Sequence, residues 1–181
     1  AIVAYDDKTG EAVGDSDFTN VDFARVLQGN NSQVTYTGEL RFDTRWTDRL
    51  STLIGIFANS SETTNASTQL IVPFGLTASQ SQTIEQSSEA FFANVFYDVS
   101  PTLEFSAGIR YDQQEVTTTG TAGSYQAEEW QPRFALTQRW NDNHMSYVSI
   151  ARGLRGGGAN APAAPLQFYQ GDSVWTYELG D

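Results

Sequence analysis

The chain has 181 residues, 10 Lys+Arg against 22 Asp+Glu, a formal net charge of −12, and no cysteine. That balance excludes a duplex nucleic-acid partner, which needs a basic surface to neutralise phosphates, and argues against a cationic peripheral membrane binder. The missing thiols exclude disulfides and Cys-based metal sites, and one His without HExxH or HxxE spacing offers no zinc chemistry.

Strand-like runs follow one another near 1–6, 33–46, 51–62, 88–98, 103–116, 129–140, 145–155 and 174–180. The clearest is Thr35 to Trp46. Tyr36, Gly38, Leu40, Phe42 and Trp46 share one parity, while Glu39, Arg41, Asp43 and Arg45 share the other. A period of two with one apolar and one charged face is the signature of a half-buried strand. Leu103, Phe105, Ala107, Ile109 and Tyr111 repeat it against Glu104, Arg110 and Asp112. Trp130, Pro132, Phe134, Leu136 and Trp140 do so against Arg133 and Arg139. The runs 51–62 and 145–155 are apolar on both parities, so their faces stay open. Pro132 cannot donate to a ladder, which predicts a bulge or a strand start there. Asp17 to Leu27 carries only a weak helical pattern.

The connections alternate. Tight turns are predicted at Thr47–Leu50, Val99–Thr102 and Asn141–His144. Long loops are predicted at 7–32, 63–87 and 156–173, with a medium one at 117–128. Tight turns at one end and long loops at the other characterise an up-and-down outer-membrane barrel. No stretch reaches 18 consecutive apolar residues, so no transmembrane helix is expected. A mean hydropathy of −0.39 does not oppose a barrel, whose strands face a polar lumen on one side. Tyr36 and Trp46 lie ten residues apart on one apolar face, as do Trp130 and Trp140. Ten residues of tilted strand climb roughly 25 Å, the height of a barrel's apolar band. Tyr36, Trp46, Tyr97, Tyr111, Trp130, Trp140 and Trp175 are therefore candidate membrane-girdle residues.

Several segments resemble the barrel of TonB-dependent outer-membrane receptors. They are Gly38-Glu39-Leu40-Arg41-Phe42 with Asp48-Arg49-Leu50-Ser51 and Leu53-Ile54-Gly55-Ile56-Phe57. Next come Ala90-Phe91-Phe92-Ala93 through Tyr97-Asp98-Val99-Ser100-Pro101-Thr102-Leu103 and Ala107-Gly108-Ile109-Arg110-Tyr111. Trp130-Gln131-Pro132-Arg133, Tyr147-Val148-Ser149-Ile150-Ala151-Arg152-Gly153-Leu154-Arg155-Gly156-Gly157 and Trp175-Thr176-Tyr177-Glu178-Leu179-Gly180 complete the set, in the family's order. The resemblance implies an all-β, antiparallel meander of about eight strands. It would be part of a larger barrel of about 22 strands filled by a plug. It implies import of a scarce nutrient such as a ferric siderophore, powered through TonB, in a Gram-negative outer membrane. Partners would be outer-membrane lipid, the plug domain, the TonB system and a small-molecule or metal-chelate ligand. The short terminal runs, and the lack of a plug-like segment, predict a barrel fragment. A complete small eight-stranded barrel and a soluble all-β carbohydrate- or ligand-binding module are the alternatives.

On this reading Glu39, Arg41, Asp43, Arg45, Glu104, Arg110, Asp112, Arg133 and Arg139 face the lumen, toward plug or ligand. The bland role for them is an ion-pair lattice along the wall. Phe74, Tyr125, Phe168 and Tyr169 are candidate ligand contacts on loops. Other constellations carry less. Arg152 to Gly158 is glycine-rich but lacks the GK[ST] ending of a phosphate loop. His144 lies in a predicted turn with no triad around it. Glu128-Glu129 and Asp6-Asp7 are adjacent strand residues pointing to opposite faces, a poor arrangement for a cation. No cofactor, metal site or catalytic set is expected.

Overall fold

The computed structural model describes all residues except 19, 120–122 and 162–163. Eight strands form one antiparallel sheet in the order β1-β2-β3-β4-β5-β6-β7-β10. They are β1 (Ile2–Asp15), β2 (Ala24–Arg45), β3 (Leu50–Ile71), β4 (Leu76–Ser100), β5 (Leu103–Thr118), β6 (Tyr125–Asn141), β7 (His144–Arg155) and β10 (Asp172–Gly180). Two-residue strands β8 (Gly158–Ala159) and β9 (Phe168–Tyr169) pair with each other in the β7–β10 connection. Among the described residues the only helix is one 3-10 turn, Val72–Phe74.

Each strand pairs with its neighbour in sequence, so the meander expected from the turn rhythm is found. β1 and β10 stand at opposite ends of the order, so the sheet is not a closed eight-stranded barrel. Among the described residues no second layer covers its apolar face, as a soluble sandwich would require.

The strands run much further than expected. The segments 7–32 and 63–87 are mostly paired strand rather than loop. β2 pairs with β3 from Ala24↔Ile71 to Arg45↔Ser51, and β3 continues on β4 out to Ile71↔Leu76. The expected shortness of the terminal strands is also corrected: β1 has 14 residues and β10 has 9. These extensions are rich in Thr, Ser, Asn and Gln with water on both faces, so they carry no hydrophobic period to read. Backbone pairing and cross-strand side-chain bonds hold them instead. Thr64 and Thr83 hydroxyls meet at 3.0 Å, and those of Thr68 and Ser79 at 2.9 Å. The weak helical pattern at Asp17 to Leu27 forms no helix. The Asp17 carboxylate instead accepts the N–H groups of Phe23 (3.0 Å) and Ala24 (2.6 Å), leading into β2.

Pro132 lies inside β6. It faces Ile109 of β5, but the β6–β7 ladder stops at Arg133↔Ala151, one residue short of the proline, which has no N–H to extend it. Above that point side chains tie the strands. Gln131 Oε1 accepts the Leu154 N–H at 3.3 Å, and Arg152 pairs with Glu129 at 2.7 Å.

Candidate functional site

The sheet has two chemically distinct faces. On the outer one, Leu40, Ile56, Phe91, Tyr111 and Trp130 form one row across five strands. Phe42, Ile54, Ala93, Ile109 and Pro132 form the next. Val95, Ala107, Phe134, Ile150 and Tyr177 follow, then Tyr97, Phe105, Leu136, Val148 and Leu179. No charged residue interrupts these four rows, and most of their large side chains are exposed. The open face of 51–62 is thereby settled: Ile54 and Ile56 point outward, Gly55 and Phe57 inward. In 145–155, Val148 points outward and the buried Ser149 inward.

The candidate girdle residues Tyr36, Trp46, Tyr97, Trp130, Trp140 and Trp175 are exposed, and Tyr111 is half-buried. The polar atoms of Trp46, Trp140 and Tyr111 find partners at the edge of the apolar rows. Trp46 Nε1–H donates to Thr52 Oγ1 at 2.9 Å and Trp140 Nε1–H to Ser146 Oγ at 2.8 Å, both beside tight turns. At the other edge Tyr111 donates to Glu128 at 2.7 Å and stacks on Trp130 at a centroid distance of 4.6 Å. Beyond that edge the outer face turns acidic, with Glu62, Glu85, Glu89 and Glu115 exposed. Side-chain hydrogen bonds from Gln126 and Ser124 hold the Glu115 carboxyl below its ordinary range.

The inner face carries the expected charged set. Glu39, Phe57, Ala90, Asp112 and Glu129 share one row. Arg41, Gly55, Phe92, Arg110 and Gln131 share the next, and Asp43, Leu53, Asn94, Gly108 and Arg133 the one after. Ala90, Phe92, Asp112 and Ser149 are buried here, in contrast to the exposed outer rows. The segments 156–161 and 164–171, which carry the β8–β9 pair, lie over part of this face, where Gln82 holds the Asn160 carbonyl and Gln114 the Gly157 carbonyl.

The charges are largely paired. Arg41 pairs with Glu39, and Arg139 with Glu104 at 3.4 Å. Arg110 donates from Nε and Nη2 to Asp112, each at 2.7 Å, and Gln131 adds a third donor to the same carboxylate. The Arg110 guanidinium lies 5.3 Å from the Phe57 ring centre and 5.9 Å from that of Phe92. Arg41 approaches Phe92 from its own side at 6.0 Å. Arg45 donates to the carbonyl of Asp48 at 3.1 Å, closing the β2–β3 turn. The two phenylalanines, Gln131, Glu129 and Arg152 were missed by sequence reading. Phe57 lies in a run that is apolar on both parities, and Phe92 in the unbroken pair Phe91-Phe92, so neither face declared itself.

Gly55 makes the aromatic seat possible. A Cβ there would stand 2.7 Å from Phe92 Cε2 and 2.8 Å from the Leu40 carbonyl oxygen. Because the second neighbour is backbone, Gly55→Ala should cost about 1–3 kcal/mol by overpacking, read as a lower urea midpoint of the refolded barrel.

The four aromatic ligand-contact candidates separate. Phe74 is exposed at the β3–β4 turn, on a hairpin of its own. Phe168 and Tyr169 lie in β9, in the segment that returns over the inner face. Tyr125 is corrected: it is not a loop residue but the first residue of β6. It is only 6% exposed, beneath that same segment, where a ligand would not reach its ring.

The chain's sequence matches the family model described as TonB dependent receptor-like, beta-barrel, over residues 3–180. The fold is similar to the ferric yersiniabactin uptake receptor of Yersinia pestis, with a TM-score of 0.79 and 15% identity over 98% of this chain and 29% of that one. It is also similar to the copper transporter OprC, with a TM-score of 0.69 and 11% identity over 84% of this chain and 26% of that one. For the ferric preacinetobactin receptor of Acinetobacter baumannii the TM-score is 0.63 and the identity 15%, over 98% of this chain and 31% of that one. The chain thus spans less than a third of the length of the structures it matches. With a family match over nearly its whole length and the two-faced antiparallel meander of such walls, the chain belongs to the TonB-dependent receptor β-barrel family, a family of receptors and transporters.

Proposed function

We propose that this chain is a wall segment of an outer-membrane receptor that imports a scarce nutrient, with a ferric siderophore as the favoured class. The carrying observation is the division of one sheet into an outer face with four uncharged, exposed apolar rows and an ion-paired inner face. Lipid is the solvent that makes such an outer face stable; in water four rows of exposed aromatic and aliphatic side chains would drive aggregation. The girdle residues Tyr36, Trp46, Tyr97, Tyr111, Trp130, Trp140 and Trp175 fit the two interfaces, where an apolar ring with a polar handle is favoured.

On this reading Glu39, Arg41, Asp43, Arg45, Glu104, Arg110, Asp112, Arg133 and Arg139 line the lumen against the plug. Phe74, Phe168 and Tyr169 stand toward the extracellular end, where a metal chelate would enter. TonB couples to the receptor through its plug, and the wall performs no bond chemistry. The similarity to two ferric-siderophore receptors supports the substrate class.

The test is uptake of radiolabelled iron by iron-starved cells that carry or lack the receptor containing this segment. A panel of hydroxamate, catecholate and mixed-ligand chelates is offered, with a parallel copper arm. Receptor- and TonB-dependent accumulation with at least one ferric chelate is expected. Accumulation of none, or of copper alone, would overturn the siderophore assignment.

A further inference from the structure

Tyr125 contacts both ends of the connection between β7 and β10. Its ring packs on Gly157 near the start of that segment, and its hydroxyl accepts the Gly171 N–H at 2.9 Å near the end. Neither glycine has room for a side chain. A Cβ on Gly157 would stand 2.7 Å from Tyr125 Cε1, and one on Gly171 would stand 2.7 Å from the Tyr125 hydroxyl and from the Arg155 carbonyl. Two neighbouring strands hold the same segment. Gln114 of β5 donates to the Gly157 carbonyl at 3.3 Å, and Gln82 of β4 donates to the Asn160 carbonyl at 2.9 Å.

Internally the Asn160 N–H donates to the Gln167 carbonyl at 2.8 Å, beside the β8–β9 pair. Val116, paired with Tyr125 across the β5–β6 ladder, is at 1% exposed the most deeply buried large side chain among the described residues. Swinging this segment away from the wall would break the bonds to Tyr125, Gln114 and Gln82 and wet the Tyr125 ring. Segments that open easily have few buried contacts and exposed backbone bonds; here Gly157 and Gly158 are buried and the bonds to Gln82, Gln114 and Tyr125 are shielded from water in part.

We propose that Tyr125, with Gln82 and Gln114, is a positioning residue that fixes residues 156–161 and 164–171 as an immobile strap across the inner wall. The strap then presents Phe168 and Tyr169 at constant geometry and does not swing as a lid. Only the role of those two aromatics toward a chelate rests on the import reading; the immobility of the strap does not.

The experiment is hydrogen exchange on the full receptor in detergent, followed by mass spectrometry of peptides covering the strap. Tyr125→Phe, which keeps the ring and loses the hydroxyl, should speed exchange at Gly171 about 5-fold, the effect of one lost neutral hydrogen bond. Tyr125→Ala should speed exchange across the whole strap by at least about tenfold, because ring packing goes as well. Ferric-chelate affinity should fall for Tyr125→Ala through faster dissociation and return with Phe, a pattern that general destabilisation of the barrel would not give. Native strap amides exchanging at random-coil rates, or Tyr125→Ala leaving them unchanged, would overturn the proposal. If Tyr125→Ala yields no heat-modifiable barrel, Gln82→Ala decides, since it leaves β6 intact. It should speed exchange around Asn160 several-fold, and no change there counts against the strap. Protected strap amides in a receptor that binds no chelate would refute import and leave this inference standing.

Discussion

Phe134→Arg should keep the receptor that carries this segment from reaching its folded, heat-modifiable state, whereas Thr137→Arg should fold. The two positions are three residues apart on β6 and face opposite ways. Phe134 sits in an outer row between Ala107 and Ile150, both apolar, about midway between Trp130 and Trp140. A guanidinium there meets no carboxylate on its own face and costs about 2–4 kcal/mol at the bilayer midplane. Against a net stability of about 5–15 kcal/mol for a folded protein, that is a large share. Thr137 pairs with Glu104 on one side and Tyr147 on the other, on the inner face. The Glu104 carboxylate already takes Arg139 at 3.4 Å and can share a second cation, so the cost should stay below about 1 kcal/mol. Mobility with and without heating, and urea unfolding in lipid, measure both. Equal damage from the two substitutions would mean that the faces are not lipid and lumen.

Much of this contrast is legible in the sequence alone, and the reason is local. Where one face is greasy and the other wet, the period of two is written in consecutive residues. Thr35 to Trp46, Leu103 to Asp112 and Trp130 to Trp140 could therefore be sorted residue by residue. The strand extensions beyond them could not. In Asn30-Asn31-Ser32 or Thr63-Thr64-Asn65 both faces meet water, and hydrogen-bonded pairing leaves no hydrophobic imprint. The glycines and glutamines of the inner wall were illegible for another reason. Gly55 matters because Phe92, 37 positions away, needs its space, and Gln82 because it reaches the Asn160 carbonyl 78 positions on. Such roles arise from strand register, which one sequence does not print. Tyr125 shows the cost of reading exposure from context: a tyrosine between Ser124 and Gln126 reads as a loop residue, yet it is buried against Gly157 and Gly171.

Removing the carboxylate of Asp112 should destabilise the wall by about 2–3 kcal/mol, while removing that of Asp172 should cost less than about 1 kcal/mol. Both residues take a two-pronged arginine. Asp112 binds Nε and Nη2 of Arg110, and Asp172 binds the same atoms of Arg155. The geometry is alike, so burial decides. The Asp112 side chain is 12% exposed and its arginine 36%, against 62% and 83% for the Asp172–Arg155 pair at the rim. Water screens the second pair and competes for its hydrogen bonds, but it has little access to the first. Asp112 also accepts from Gln131, whose other end takes the Leu154 N–H where the β6–β7 ladder has stopped at Pro132. Loss of that carboxylate should therefore loosen the upper end of β7 as well as free Arg110. Asp112→Asn keeps the shape and one acceptor, and should recover about half of the loss. Urea midpoints of Asp112→Ala, Asp112→Asn and Asp172→Ala in the refolded barrel give the comparison. If the two alanine variants shift equally, the inner face is as wet as the rim, and the ion pairs along the lumen would be solvated charges rather than a lattice that holds the wall.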